Sequence, residues 1–189
     1  MRYDIEDLNK LIGQINESLS HCKMPEWDEL PAIDLYMDQV IVILREYLSI
    51  FYLSAIDDKY ITPPMINNYV KLKIMPAPVK KKYSKLHLAY LIIICTLKQT
   101  MSMASIQKII PYNLGEQAVK DLYNNYVINQ IKAFGYIKDQ INQVAQPALK
   151  LAHTNPEKIQ DLVMQTAINT NVLKMLNDKL LDMDVENII

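Results

Sequence analysis

Glycine is almost absent from this chain. Gly13, Gly115 and Gly135 are the only three in 189 residues. Phosphate-cradling loops and dinucleotide turns need clustered glycines where the backbone approaches the ligand, and scattered ones exclude such loops. Cysteine is just as scarce. Cys22 lies beside an expected linker and Cys95 in an apolar run, so they read as two reduced thiols in a cytoplasmic protein, not as a disulfide framework. Long hydrophobic runs are missing too. The longest, Leu88 to Cys95, falls far short of the roughly 20 apolar residues of a membrane span. The polar, acidic start MRYDIEDLNK does not read as a signal peptide.

Catalytic groupings are also lacking. His21, His87 and His153 have no metal-ligand spacing, and His87 with Cys95 lacks a third ligand. The acids Glu26, Asp28, Glu29, Asp57 and Asp58 sit in polar connectors, where nothing would raise a carboxyl pKa for general acid–base work. No serine or cysteine has a base in a nucleophile motif. The expectation is a protein that is not an enzyme and holds no cofactor and no metal.

The most informative absence is that of acid between Lys59 and Ile110. That stretch contains nine lysines (59, 71, 73, 80, 81, 82, 85, 98 and 108) and no Asp or Glu. Residues 1–58 carry a net charge of -8 and residues 112–189 a net of -2, so a chain of net -1 is sorted by sign along its length. Such a block is the footprint expected of a polyanion-binding surface. It is equally what a solvated turn would show if the acidic first segment neutralised it within the monomer or across a dimer.

The grammar of the block adds to its charge. Ile61-Thr62-Pro63 reads as a helix start. Met65, Ile66, Tyr69 and Val70 then share one face, with Pro64, Asn67, Asn68 and Lys71 on the other. Pro76 and Pro78 force an extended passage. Lys80-Lys81-Lys82-Tyr83 follows as a basic arm, and Ser84 caps a helix running to about Thr100 that is apolar nearly all round. Ser102 precedes a short amphipathic helix, Met103 to Ile110, stopped by Pro111.

In this order of features, with Tyr69 on the short helix, Ile74-Met75-Pro76 at its exit, Tyr83-Ser84 opening the next helix and Met101 to Ile106 starting the last, the stretch resembles the winged helix-turn-helix of MerR-class bacterial regulators. Leu30 to Val40 together with Met65 to Lys71 is also similar to an uncharacterised family of Gram-positive bacterial proteins, a domain of unknown function. The resemblance spans Leu30 to Pro111. It implies a DNA-binding transcriptional regulator. In that reading Asn67, Asn68 and Lys71 enter the major groove of double-stranded DNA, and Lys73, Lys80, Lys81, Lys82 and Lys85 contact phosphates. A two-fold dimer would read half-sites about one helical turn apart. By analogy, a small effector would bind the C-terminal helices.

The flanks read as helix. Ile5, Leu8, Ile12, Ile15, Leu19 and Cys22 make a seam from about Tyr3 to His21, suited to a bundle or a partner helix. Met24 to Pro31 is a turn-rich connector in which Trp27 reads as a lid on the core. Ile33 to about Ser54 is a second helix capped by Asp34, with Tyr36, Val40, Ile43, Leu44, Tyr47, Leu48 and Phe51 inward. Beyond Pro111 the chain becomes rich in amide and tyrosine. Leu122, Tyr126, Val127, Ile131, Phe134, Ile141 and Val144 form one stripe on a long helix that bends near Gly135 or Pro147. Asn155-Pro156 starts a last helix with Ile159, Leu162, Val163, Leu173, Leu176 and Leu180 inside, followed by an acidic tail.

The expected architecture is therefore all-α. Residues 1–29 form an N-terminal helix and connector, 30–111 a winged helix-turn-helix-like (MerR-like) core, and 112–189 a two-helix C-terminal extension packed as one globular unit with the core. The main functional expectation is the DNA-binding regulator, a homodimer through its N-terminal or C-terminal long helix. The alternative is a non-catalytic protein-interaction module that keeps the helix-turn-helix shape without DNA, docking through the acidic first segment or the Tyr/Asn-rich helix.

Overall fold

A computed structural model describes residues 5–21, 23–52, 61–152 and 157–183. Expectations resting on Tyr3, Cys22, Ser54, Asp57-Asp58, Lys59, His153, Asn155-Pro156 and the acidic tail lie outside them. Eight α-helices appear among the described residues: α1 (Ile5–His21), α2 (Met37–Tyr47), α3 (Pro63–Lys71), α4 (Lys85–Leu97), α5 (Met103–Ile109), α6 (Glu116–Gln140), α7 (Gln146–Ala152) and α8 (Glu157–Leu181). Short 3₁₀ turns span Trp27–Glu29 and Ser49–Tyr52, and a π-helical turn spans Ile141–Ala145. The fold class is all-α. The chain divides into a central unit, Lys23–Ile131, and a flanking unit made of Met1–Cys22 and Lys132–Ile189.

The central unit is built on α4. Every residue from His87 to Cys95 is buried, as a helix without a polar face must be in water. Each large aliphatic side chain so placed contributes about 1.5–3 kcal/mol of transfer free energy. One side of α4 packs on α2, and α2 also packs on α3. Thr62 stands at the N-cap position of α3 without a side-chain cap hydrogen bond, and Pro63 occupies its first turn, where a missing N–H costs nothing.

The exit of α3 is a Schellman motif. Ile74 N–H donates to the Tyr69 carbonyl at 3.1 Å and Lys73 N–H to the Val70 carbonyl at 3.0 Å. Lys73 takes the left-handed backbone this requires, with φ 54°. Ile74, the next residue, is fully buried.

Helix α2 starts later than the expected Ile33. Leu35 is held extended by an antiparallel bridge to Tyr83, the two residues exchanging both backbone hydrogen bonds at 2.9 and 2.8 Å. The chain turns helical only after Tyr36, whose N–H donates to Gln39 Oε1 at 2.9 Å. Tyr36, expected inward, is exposed, whereas Val40, Leu44 and Leu48 are buried. Trp27 is buried as a lid, meeting Tyr123 edge-on with ring centroids 6.3 Å apart.

The expected wing does not form. A wing is a pair of strands, and no strand exists among the described residues. Lys80 and Lys81 are instead the two central residues of a tight turn closed by a single bridge, Val79↔Lys82. Both have positive φ, 49° and 62°, as in a type I′ turn. Pro76 and Pro78 cannot donate to a ladder, Tyr83 is claimed by Leu35, and α4 begins two residues later. The likeness to the MerR-class winged helix-turn-helix is therefore overturned. The DNA-binding transcription-regulator description it implied loses its structural basis.

Lysine at a left-handed position is unfavourable by about 1 kcal/mol or more relative to glycine, because its Cβ crowds the following carbonyl. Lys81→Gly should accordingly raise the unfolding free energy by about 1 kcal/mol, read from urea midpoints at constant m. An unchanged or lower midpoint would contradict the turn geometry.

In the flanking unit, α7 packs on α1 and α8. Its core is small: Leu149 and Ile159 are buried, with Leu8 and Ile12 packed against them. Helix α6 runs unbroken through Gly135. The irregularity expected near Pro147 takes the form of the π turn just before it, where Gln146 N–H reaches back to the Ile141 carbonyl. Proline lacks the donor and its ring would press on the carbonyl four residues back, and a widened turn relieves both. Val163, Leu173, Leu176 and Leu180 were expected inside, but each is more than half exposed, at 53, 61, 53 and 58%.

Candidate functional site

Asn67, Asn68 and Lys71 lie on the exposed face of α3, and Lys73 is exposed at its exit. Lys80 and Lys81 project from the tight turn. The other two lysines of the set are engaged with aromatic rings. Lys82 Nζ lies 5.4 Å from the Tyr36 ring centroid and Lys85 Nζ lies 5.7 Å from that of Trp27, contacts worth about 0.5–1 kcal/mol each at such exposure. The lysines thus divide into an outward group on α3 and the turn, and a pair that helps fasten the connector and the approach to α2.

An apolar concave feature of the central unit lies elsewhere. A groove of about 420 Å³ has Ile93 and Leu97 of α4, Ile109 and Ile110 from α5 and its cap, and Leu122 of α6 as its apolar lining. Asn125, Tyr126, Asn129 and Gln130 add polar groups from α6. The apolar floor follows from α4 having no polar side. The amides follow from the Asn- and Gln-rich stretch after Pro111, where residues four apart stack on one face of a helix. Tyr126 is pinned: its hydroxyl donates to Thr96 Oγ1 at 2.8 Å, and Thr96 in turn donates to the Ile92 carbonyl at 2.9 Å. The groove therefore offers a fixed apolar surface edged with donors and acceptors.

Cys95 is buried in α4, and desolvation pushes its thiol up to about 11, so it stays protonated and a poor nucleophile at neutral pH. His87 is buried at the start of α4, and desolvation lowers its pKa against the opposing pull of the Ala77 carbonyl and Asp34. No three of the described His, Cys, Asp and Glu residues are grouped so as to hold a metal ion. No described helix is long and apolar enough to cross a membrane.

The sequence offered the Tyr/Asn-rich helix as one of two alternative docking faces, beside the acidic first segment, and did not point to Ile93, Leu97, Ile109 and Ile110, which α4 and α5 bring against α6. For Ile93 and Leu97 the signal was the excess of apolar residues on α4 over what one neighbouring helix could cover.

A family model described as a domain of unknown function (DUF1836) matches residues 25–126. No curated protein and no solved structure matches the chain.

Proposed function

We propose, from the premise that the chain belongs to the DUF1836 family, that it is a non-catalytic protein-interaction module whose central unit docks a helical segment of another protein. The observation that carries this is the groove walled by α4, α5 and α6, apolar on its floor and amide-bearing along α6. An amphipathic helix laid in such a groove buries its anchors at i, i+3/i+4 and i+7, while side-chain amides bond its polar edge. Most of the lining falls within the family match, which places the groove in the part of the chain that defines the family.

The test is selection of helical peptides from a displayed library on the full chain, followed by titration of the winners against Ile109→Glu and Leu122→Glu. Selected peptides should share apolar residues at helical spacing, and either substitution should weaken them at least about tenfold, the scale of a hot-spot loss. Circular dichroism checks that both variants stay folded. The opposite result is peptide binding indifferent to both substitutions, together with salt-sensitive binding of a labelled random DNA duplex that disappears in a Lys80/Lys81/Lys82 to Glu variant. That pattern would move function to the lysine face.

A further inference from the structure

In the central unit, lysine and an exposed apolar residue alternate at two neighbouring places. At the exit of α3 these are Lys71, Leu72 and Lys73, and at the tight turn Val79, Lys80 and Lys81, all exposed. Leu72 is 38% and Val79 69% exposed. The turn has an aromatic neighbour as well, since Lys82 Nζ lies over the ring of Tyr36, itself 53% exposed. Val79 and Lys82 pair across the bridge, so their side chains share one face of the turn. Lys73 and Val79 are six residues apart, which limits their Cα separation to about 20 Å.

We propose that this face docks on a bilayer containing anionic lipid, with the lysines meeting headgroup phosphates and Val79 and Leu72 entering the boundary beneath them. Charge complementarity is the first argument. Lys71, Lys73, Lys80 and Lys81 form no ion pair among the described residues, whereas Lys23, Lys120, Lys158 and Lys174, outside the acid-free stretch, each have a carboxylate partner. Asp34 and Asp38, exposed and close to Tyr36 in sequence, are not paired with the turn either. Backbone conformation is the second. Lys73, Lys80 and Lys81 all hold positive φ, where glycine or asparagine would fit at less cost. Strain of this kind is kept where function uses it. The apolar members are the third. A phosphate backbone rewards the lysines alone, whereas a bilayer also takes up an aliphatic side chain and an aromatic ring at headgroup level.

Co-sedimentation of the full chain with vesicles decides the matter. The wild type should bind vesicles of equal parts phosphatidylcholine and phosphatidylglycerol, release them as salt rises, and ignore vesicles of phosphatidylcholine alone. Lys80→Gly combined with Lys81→Gly should raise the urea midpoint by relaxing the turn, yet weaken vesicle binding about 30-fold, or about fivefold for each lysine lost from an anionic surface. A purely structural role for these lysines would not give that combination. Val79→Ser should weaken vesicle binding about tenfold by removing an inserted aliphatic group. Absence of binding to the mixed vesicles, or binding unchanged in the glycine pair, would overturn the proposal. So would salt-sensitive binding of both the vesicles and a labelled random DNA duplex that is indifferent to Val79→Ser, because it would show a polyanion site without an apolar contact.

Discussion

Tyr123→Ala is expected to lower the stability of the central unit by about 3–5 kcal/mol, and Tyr123→Phe by about 1–3 kcal/mol. The two figures separate two roles of one side chain. Its ring is fully buried and meets Trp27 edge-on and Tyr126 at a tilt, each with centroids 6.3 Å apart. Truncation to alanine therefore removes a large contact area and leaves a cavity. Its hydroxyl donates to the Pro25 carbonyl at 2.8 Å. Phenylalanine keeps the ring but strands that carbonyl away from water, so the cost is that of an unsatisfied acceptor and not merely of one lost hydrogen bond. Burial raises the phenol pKa well above its ordinary value of 10, so the donor persists into alkaline solution. Urea unfolding followed by tryptophan fluorescence reports directly, since Trp27 is the only tryptophan. A Phe variant as stable as the wild type would show that the hydroxyl contributes nothing.

Acidification should destabilise the fold through His87. The ring takes the place that Glu or Gln usually holds in a capping box at the start of α4. Its Nδ1 accepts from Ser84 N–H at 3.0 Å and lies 2.9 Å from Ser84 Oγ, which leaves the proton on Nε2, 3.3 Å from the Ala77 carbonyl. Protonation would turn Nδ1 into a donor facing another donor. Desolvation already lowers the folded-state pKa below the ordinary 6.5, so the unfolded chain binds the proton more readily than the folded one. The contribution of His87 is therefore complete above about pH 6.5 and is lost as pH falls from there through the lowered folded value. His87→Ala should cost about 1–3 kcal/mol at neutral pH by leaving the Ser84 N–H without its acceptor, and should flatten this part of the pH–stability curve. Equal slopes for wild type and variant between pH 7 and 5 would refute the assignment.

What was legible in the sequence and what was not follow from the range of the interactions involved. Ser84 and Thr62-Pro63 marked helix starts because such start signals lie within four residues of chain. Helix α4 declared itself as the core by lacking a polar face. The late start of α2 was hidden because it depends on Leu35 meeting Tyr83, a pairing no local window contains. The lysine turn was read first as an extended basic arm because lysine is a poor occupant of a positive-φ position, and local propensity gave no sign of a type I′ geometry. On α8 the apolar pattern was visible, but a pattern states which face is apolar and not what covers it. The groove was only partly legible, since it draws residues from three helices.

The contacts around Tyr123 also have a topological consequence. Its bond to Pro25 joins residues 98 apart in sequence, and it is flanked by Trp27 N–H donating to Asn124 Oδ1 at 3.4 Å and by the Lys120–Asp28 ion pair at 3.1 Å. Closing a loop of that length costs about 4 kcal/mol of chain entropy by the logarithmic rule, so this closure belongs late in folding, after the local helices exist. Once it is made, the polypeptide enters and leaves the unit at one place. The family match, residues 25–126, begins and ends at that place. A segment with adjoining ends is a portable insert: it can interrupt a host chain without stretching it, and it can be circularly permuted by linking the old ends and opening an exposed turn.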